Sequence, residues 1–149
     1  MNGRRVDDAG AVLSRSEFTR GDEISLTVLA SDGSDERTPI ESQPIEVHNA
    51  PPKIVSTPGD FEDDGRFLYP VAVDDPDGDR HFRFRLIDAP DGMRVDFMNG
   101  LVTWQPVEDD AGDHPVVLEV DDLAGGKTTQ AFRVSVAFEA SQPPAAKAD

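Results

Sequence analysis

Apolar and polar residues alternate along most of this chain with a period of two, the spacing that places successive side chains on opposite faces of a strand. In EISLTVLA, Ile24, Leu26 and Val28 share one face, and in QPIEVHN so do Ile45 and Val47. The stretch between them, SDGSDERTP, is polar and carries Gly33 and Pro39 as breakers, so it is expected to be a loop. Further along, KIVST predicts a first strand of a second group. RFLYPVAVD aligns Phe67, Tyr69, Val71 and Val73, and HFRFRLID sets Phe82, Phe84 and Leu86 against Arg83 and Arg85. GMRVDFMNGLVTW predicts two strands around Asn99-Gly100, a dipeptide suited to a tight turn whose central residues both need positive φ. PVVLEVDD aligns Val116, Leu118 and Val120, with the strand expected to begin only after Pro115. TTQAFRVSVAF aligns Phe132, Val134, Val136 and Phe138. Helical periodicity is almost absent, and about seven short strands in one stretch argue for a β-sandwich.

Proline punctuates this pattern once between the two groups. In HNAPPKI, two adjacent prolines disfavour ladder bonding and stiffen the backbone, which marks a boundary. The expected organisation is a partial β-domain over residues 1–50, a sandwich over 51–138, and a polar, Pro/Ala-rich tail over 139–149. The 149 residues suffice for two small domains. A net charge of −16 is spread along them: 10 acidic against 5 basic residues in 1–50, and 18 against 8 in 51–138. Such a surface repels phosphate backbones, so no nucleic acid and no membrane insertion are expected, and cations are the natural counter-partners. With no cysteine, disulfides and thiolate metal sites are excluded. No stretch approaches transmembrane length, and MNGRRVDDAG lacks the apolar core of a signal peptide.

Candidate chemistry concentrates in VAVDDPDGDR, where Asp74, Asp75, Asp77 and Asp79 surround one proline and one glycine. Read as an EF-hand, the loop fails: its sixth position would be Arg80 instead of glycine and its twelfth Leu86 instead of glutamate. A bare turn is the competing interpretation, since aspartate caps, proline presets φ and glycine accepts positive φ. Catalytic motifs are missing. His48, His81 and His114 share no spacing, and neither a nucleophile elbow, a P-loop, a zincin helix nor a dinucleotide fingerprint occurs. The expectation is therefore not an enzyme. Trp104 in LVTWQP reads as packing rather than a sugar platform, and Arg83 and Arg85 as neighbours that offset aspartates.

Several stretches in order carry a resemblance: DDPDGD, APDGM, NGLVTWQP and AGDHPVVLEVDDLAGGKTTQAFRVSV. Together, from about Asn49 to Val136, they resemble the bacterial putative-Ig repeat, a cadherin-like domain related to that of dystroglycan. The chain departs from that pattern at Asn99, where threonine is usual, and at Pro115. The first part, with RGDEISLTVLASDG followed by PIEVHNAPP, resembles the second half of a similar Ig-like domain. The fold class implied is all-β, an Ig-like/cadherin-like β-sandwich in tandem, its first domain incomplete.

By the same resemblance the cofactor would be calcium (Ca2+). Its ligands would come from the linker at Asn49, from Asp75 and Asp77 after the second strand, and from Asp121 or Asp122 before the last. Asp74 and Asp79 would be bystanders. The function implied is a non-catalytic structural or adhesive repeat of a prokaryotic secreted or cell-surface protein, hence an extracellular location. Its partners would be neighbouring repeats of a longer chain and another protein or glycan at the cell surface. Two rivals stand beside it: a carbohydrate-binding or accessory module of a secreted hydrolase, and a subunit that assembles by strand exchange, a homo-oligomer formed through the incomplete first domain.

Overall fold

The computed structural model describes residues 18–29, 33 and 38–138. The tail at 139–149 and the loop around Leu13 lie outside the described residues. The chain divides into two compact units, Met1–Ala50 and Pro51–Asp149. Among the described residues, every regular element is a strand apart from one 3-10 turn, Glu108–Asp110, within the loop that follows Trp104. The protein is all-β.

In the first unit, β1 (Glu23–Ile24) pairs antiparallel with β4 (Ile45–Glu46), and β2 (Thr27–Leu29) with β3 (Pro39–Glu41). Across the gap Leu26 N–H donates to Ser42 Oγ at 2.9 Å, while Ser42 N–H donates to the Leu26 carbonyl at 2.8 Å. The two ladders thus form one interrupted ribbon. Pro39, expected to break the chain, opens β3 opposite Leu29. It stands at the first position of a strand whose far side carries no ladder, where a missing N–H is tolerated.

The second unit is a sandwich. One sheet has the order β6 (Phe67–Pro70), β10 (Leu101–Trp104), β9 (Arg94–Val95), and the other β12 (Lys127–Val136), β11 (Gly112–Asp121), β8 (Arg83–Asp88). A short pair, β5 (Lys53–Ile54) with β7 (Val73–Asp74), completes it. The stretch expected as one strand from Arg66 to Asp74 is divided after Pro70, which has no N–H to continue a ladder. Between the sheets lie Phe67, Tyr69, Val102 and Trp104 from one side, and Phe84, Val116, Leu118, Val120, Val134 and Val136 from the other. Val102, Val116, Leu118 and Val120 are completely inaccessible. The Tyr69 ring stands edge-on to Phe132 at 5.7 Å, and its hydroxyl is held by Ser56 and Gln130 at 2.8–2.9 Å. A buried phenol needs such partners.

Two sequence expectations need correction. Strand β11 runs straight through Pro115. Its ladder to β8 begins only at Val117, so at Pro115 that edge is open and the absent N–H removes no bond. The Asn99-Gly100 turn is not the tight type, for Gly100 has φ +73° whereas Asn99 does not have positive φ. Asp96 instead organises a longer connection: its Oδ1 accepts from Met98 N–H at 2.9 Å and Asn99 N–H at 3.0 Å. Glycine is required at position 100, since a Cβ there would lie 2.7 Å from the Phe84 ring.

The registers determine which connections meet. Asp121 pairs with both Arg83 and Lys127, and Leu101 pairs with Pro70. The connections 75–82, 96–100 and 122–126 therefore gather at one end of the sandwich, and Phe84 N–H bonds the Phe97 carbonyl there at 3.1 Å. Lys53 pairs with Asp74, so the chain enters the second unit at this same end.

Candidate metal centre

Two of these connections use the same local device. After β7, Asp75 Oδ1 accepts from Asp77 N–H at 2.7 Å and from Asp79 N–H at 3.3 Å. After β11, Asp122 Oδ1 accepts from Ala124 N–H and Gly126 N–H, both at 2.8 Å. In each loop a glycine with positive φ, Gly78 or Gly125, bends the chain back so that residues i+2 and i+4 present their amides to the first aspartate. Each carboxylate is thereby oriented through one oxygen.

The loops converge. Asp75, Asp79 and Asp122 each offer a carboxylate oxygen, and these oxygens all lie within 4.8 Å of one another. Asp122 is only 4% exposed, and Asp75 and Asp79 are half-buried. Among the described residues, Asp75 Oδ2 is the buried side-chain oxygen with no hydrogen-bond donor. An unsatisfied buried carboxylate oxygen is unfavourable by roughly 1–3 kcal/mol or more. Two unit charges 4 Å apart repel by about 1–4 kcal/mol, depending on how much solvent screens them. A bound cation would satisfy that oxygen and offset the repulsion by its attraction to each carboxylate. The donors are oxygen throughout, with no imidazole or thiolate, which suits a hard ion such as calcium or magnesium and not zinc or copper. The residues present therefore fit a calcium ion.

Of the expected ligands, Asp75 and Asp122 are brought together and Asp77 and Asp121 are not. Asp77 contributes its backbone N–H to Asp75, and its carboxylate is not part of the cluster. Asp121, as the last residue of β11, projects to the opposite side from its neighbour Asp122. It forms an ion pair with Lys127 Nζ at 2.7 Å and accepts from Leu123 N–H at 2.8 Å. The Lys127 hydrogen bond, and after it the Leu123 amide, lower its pKa below the ordinary carboxylate value, and the same bond raises that of Lys127. Asn49 belongs to the first unit, where Arg20 donates to its Oδ1. Asp79, set aside from sequence, replaces Asp77 in the cluster. Nothing in the sequence distinguished it from Asp77; in the folded loop Gly78 adopts a positive φ between them.

His81 and His114 are not part of the acidic cluster. His81 stands on the 75–82 connection, while His114 in β11 bonds the Asp110 carbonyl through Nε2 at 2.7 Å and meets Trp104 edge-on at 5.0 Å. Trp104 is 3% exposed and donates its indole N–H to the Asp91 carbonyl at 3.1 Å. No sugar could stack on it.

Comparison with known proteins adds little. No protein-family model and no curated protein matches the chain. Among solved structures it is similar to an endo-fucoidan hydrolase, MfFcnA9 of glycoside hydrolase family 107, at 18% identity and a TM-score of 0.45. The likeness covers 78% of this chain and 22% of that one. At that level it carries no argument about activity.

Proposed function

We propose that this chain is a non-catalytic repeat module of the dystroglycan-type cadherin-like kind, working outside the cell, whose acidic pole is stiffened by calcium. The observation that carries the proposal is the convergence of Asp75, Asp79 and Asp122 around the unpartnered Asp75 Oδ2. These three residues would hold the ion. The amides of Asp77, Asp79, Ala124 and Gly126 orient two of the three carboxylates beforehand. A bound ion supplies charge neutralisation and a bridge between the 75–82 and 122–126 connections. In an array of repeats, a rigid pole where the chain enters is the place to set the angle between neighbours.

An extracellular calcium module binds with a dissociation constant of about 0.1–1 mM. At the tighter end of that range, millimolar calcium stabilises the fold by ~1.4 kcal/mol through mass action. For a unit of this size that raises the melting temperature by about 5–10 °C relative to excess chelator. Thermal unfolding followed by Trp104 fluorescence reads this unit alone, because the chain has one tryptophan. Asp79→Asn and Asp122→Asn should abolish the shift, and Asp77→Asn should preserve it. No shift in the wild type, or its loss in Asp77→Asn with retention in Asp79→Asn, defeats the assignment.

A further inference from the structure

Asn99-Gly100 sets a side-chain amide carbonyl next to a main-chain amide whose residue has no Cβ to shield it. Asn99 is exposed and Gly100 is buried. Asn99 Oδ1 accepts from Leu101 N–H at 2.9 Å, an Asx turn that closes the side chain over the Gly100 peptide. Its carbonyl carbon, Cγ, is thereby kept on the side of Gly100 N. The Leu101 N–H also lies on the oxygen where negative charge gathers if that nitrogen adds to Cγ, the role of an oxyanion donor. One bond opposes the attack, since Gly100 N–H donates to the Asp96 carbonyl at 3.0 Å. That bond must open first, and a surface turn opens locally without global unfolding.

We propose that Asn99 is a site of spontaneous deamidation, and that its iso-aspartyl product releases Gly100 from its seat against Phe84. Gly100 N gives up its proton to water and forms a bond to Asn99 Cγ. The Cγ–Nδ2 bond then breaks, and Nδ2 takes up a proton and leaves as ammonia. Water opens the resulting succinimide at either carbonyl. Opening at Cγ is without effect on the chain path and gives aspartate. Opening at the main-chain carbonyl gives iso-aspartate, in which the backbone runs through Cβ and Cγ and is one methylene longer. The surroundings leave no room for that methylene, because even a Cβ on Gly100 would lie 2.7 Å from the Phe84 ring. The Gly100 carbonyl also accepts from Val71 N–H at 3.2 Å, which ties the start of β10 to the end of β6. A longer chain between Asn99 and Gly100 must shift one or both of these contacts, so the second unit loosens. The reaction is one-way, needs no enzyme and does not depend on the cation site.

The test is storage of the full chain at mildly alkaline pH in excess chelator, followed by digestion and mass spectrometry that separates aspartate from iso-aspartate. Asn99 should convert, with iso-aspartate the larger product. Melting of the stored wild type, followed by Trp104 fluorescence, should fall by about 5 °C as iso-aspartate accumulates. Asn99→Gln, whose ring closure is larger and far slower, should melt alike before and after storage. It keeps the Asn2-Gly3 dipeptide, so it also separates this effect from conversion elsewhere in the chain. Asn99→Asp, freshly made, has the charge of the product on a normal backbone and should melt like unstored wild type. No conversion at Asn99 overturns the proposal and means that the Asp96 bond keeps Gly100 N from reacting. Conversion to iso-aspartate with an unshifted melting temperature overturns the release of Gly100. A melting temperature as low in fresh Asn99→Asp as in the stored wild type overturns it too, by assigning the loss to charge.

Discussion

The same pattern has two fates in this molecule. In the first unit, Ile24 in β1 pairs with Ile45 and Val28 in β2 with Ile40, with Leu26 between the two short strands, and most of these side chains are exposed. In the second, Val116, Leu118 and Val120 alternate on β11, which pairs with β12 bearing Val134 and Val136, and none is more than 7% exposed. Alternation, β-branched content and antiparallel pairing are alike in both. Among the described residues, what differs is the presence of β6 and β10, whose Phe67, Tyr69, Val102 and Trp104 lie across β11. An alternating stretch thus specifies a strand with one apolar face, and a second sheet makes that face a core. Removal of apolar area from water, at about 25 cal/mol per Å², is what converts one into the other.

The largest effect that tests this contrast is truncation of the two faces. Leu118→Ala should destabilise the second unit by about 3–5 kcal/mol, because it leaves a cavity at a fully inaccessible position. Val28→Ala, examined by circular dichroism at low protein concentration, should change stability by less than ~0.5 kcal/mol. Similar losses at both sites would show that the first ribbon is covered after all.

A smaller effect tests how the covering sheet is positioned. Gly100→Ala places a methyl group against the Phe84 ring on a backbone with φ +73°. The left-handed conformation alone costs about 1–2 kcal/mol for a residue with a Cβ, and displacement of the ring adds to it. The urea midpoint read by Trp104 should fall with no change in slope. An unaltered midpoint would mean that the turn does not hold β10 in place.

The smallest expected effect is electrostatic. Asp96 braces the same turn, and the amide of Asn99, followed by that of Met98, lowers its pKa from 3.8. A group whose folded pKa is depressed contributes stability that is present above its unfolded pKa and disappears as pH falls through the folded value. Asp96→Asn should therefore be slightly less stable than the wild type at neutral pH, and the difference should begin to shrink as pH falls through about 3.8 and disappear only below the lower folded value. A difference that persists unchanged into acid would assign the effect to turn geometry instead of charge.

The cation cluster shows how far such reasoning extends along the chain. The family resemblance had pointed to Asp75 and to one of Asp121 and Asp122, and the folded chain brings Asp75 and Asp122 into the cluster. The choice between Asp77 and Asp79 was not legible, since both alternate with Asp75. The folded loop places the carboxylate of Asp79, and not that of Asp77, in the cluster with Asp75 and Asp122. Likewise Asp121 and Asp122 are adjacent acids, and strand alternation sends one to Lys127 and the other inward. Which of the two faces inward follows from the register of β11 against β8 and β12, a property of three strands at once.

Local chemistry determined the strands themselves, the apolar face of each, the acidic loops, and the exclusion of disulfides and thiolate metal sites. These depend only on side-chain alternation and on the intrinsic preferences of aspartate, proline and glycine. Tertiary structure alone decided that Pro115 could lie within a strand and that Asp79 would join Asp75 and Asp122. Each of these requires groups distant in sequence to meet, and their meeting depends on sheet register and on which sheet covers which face.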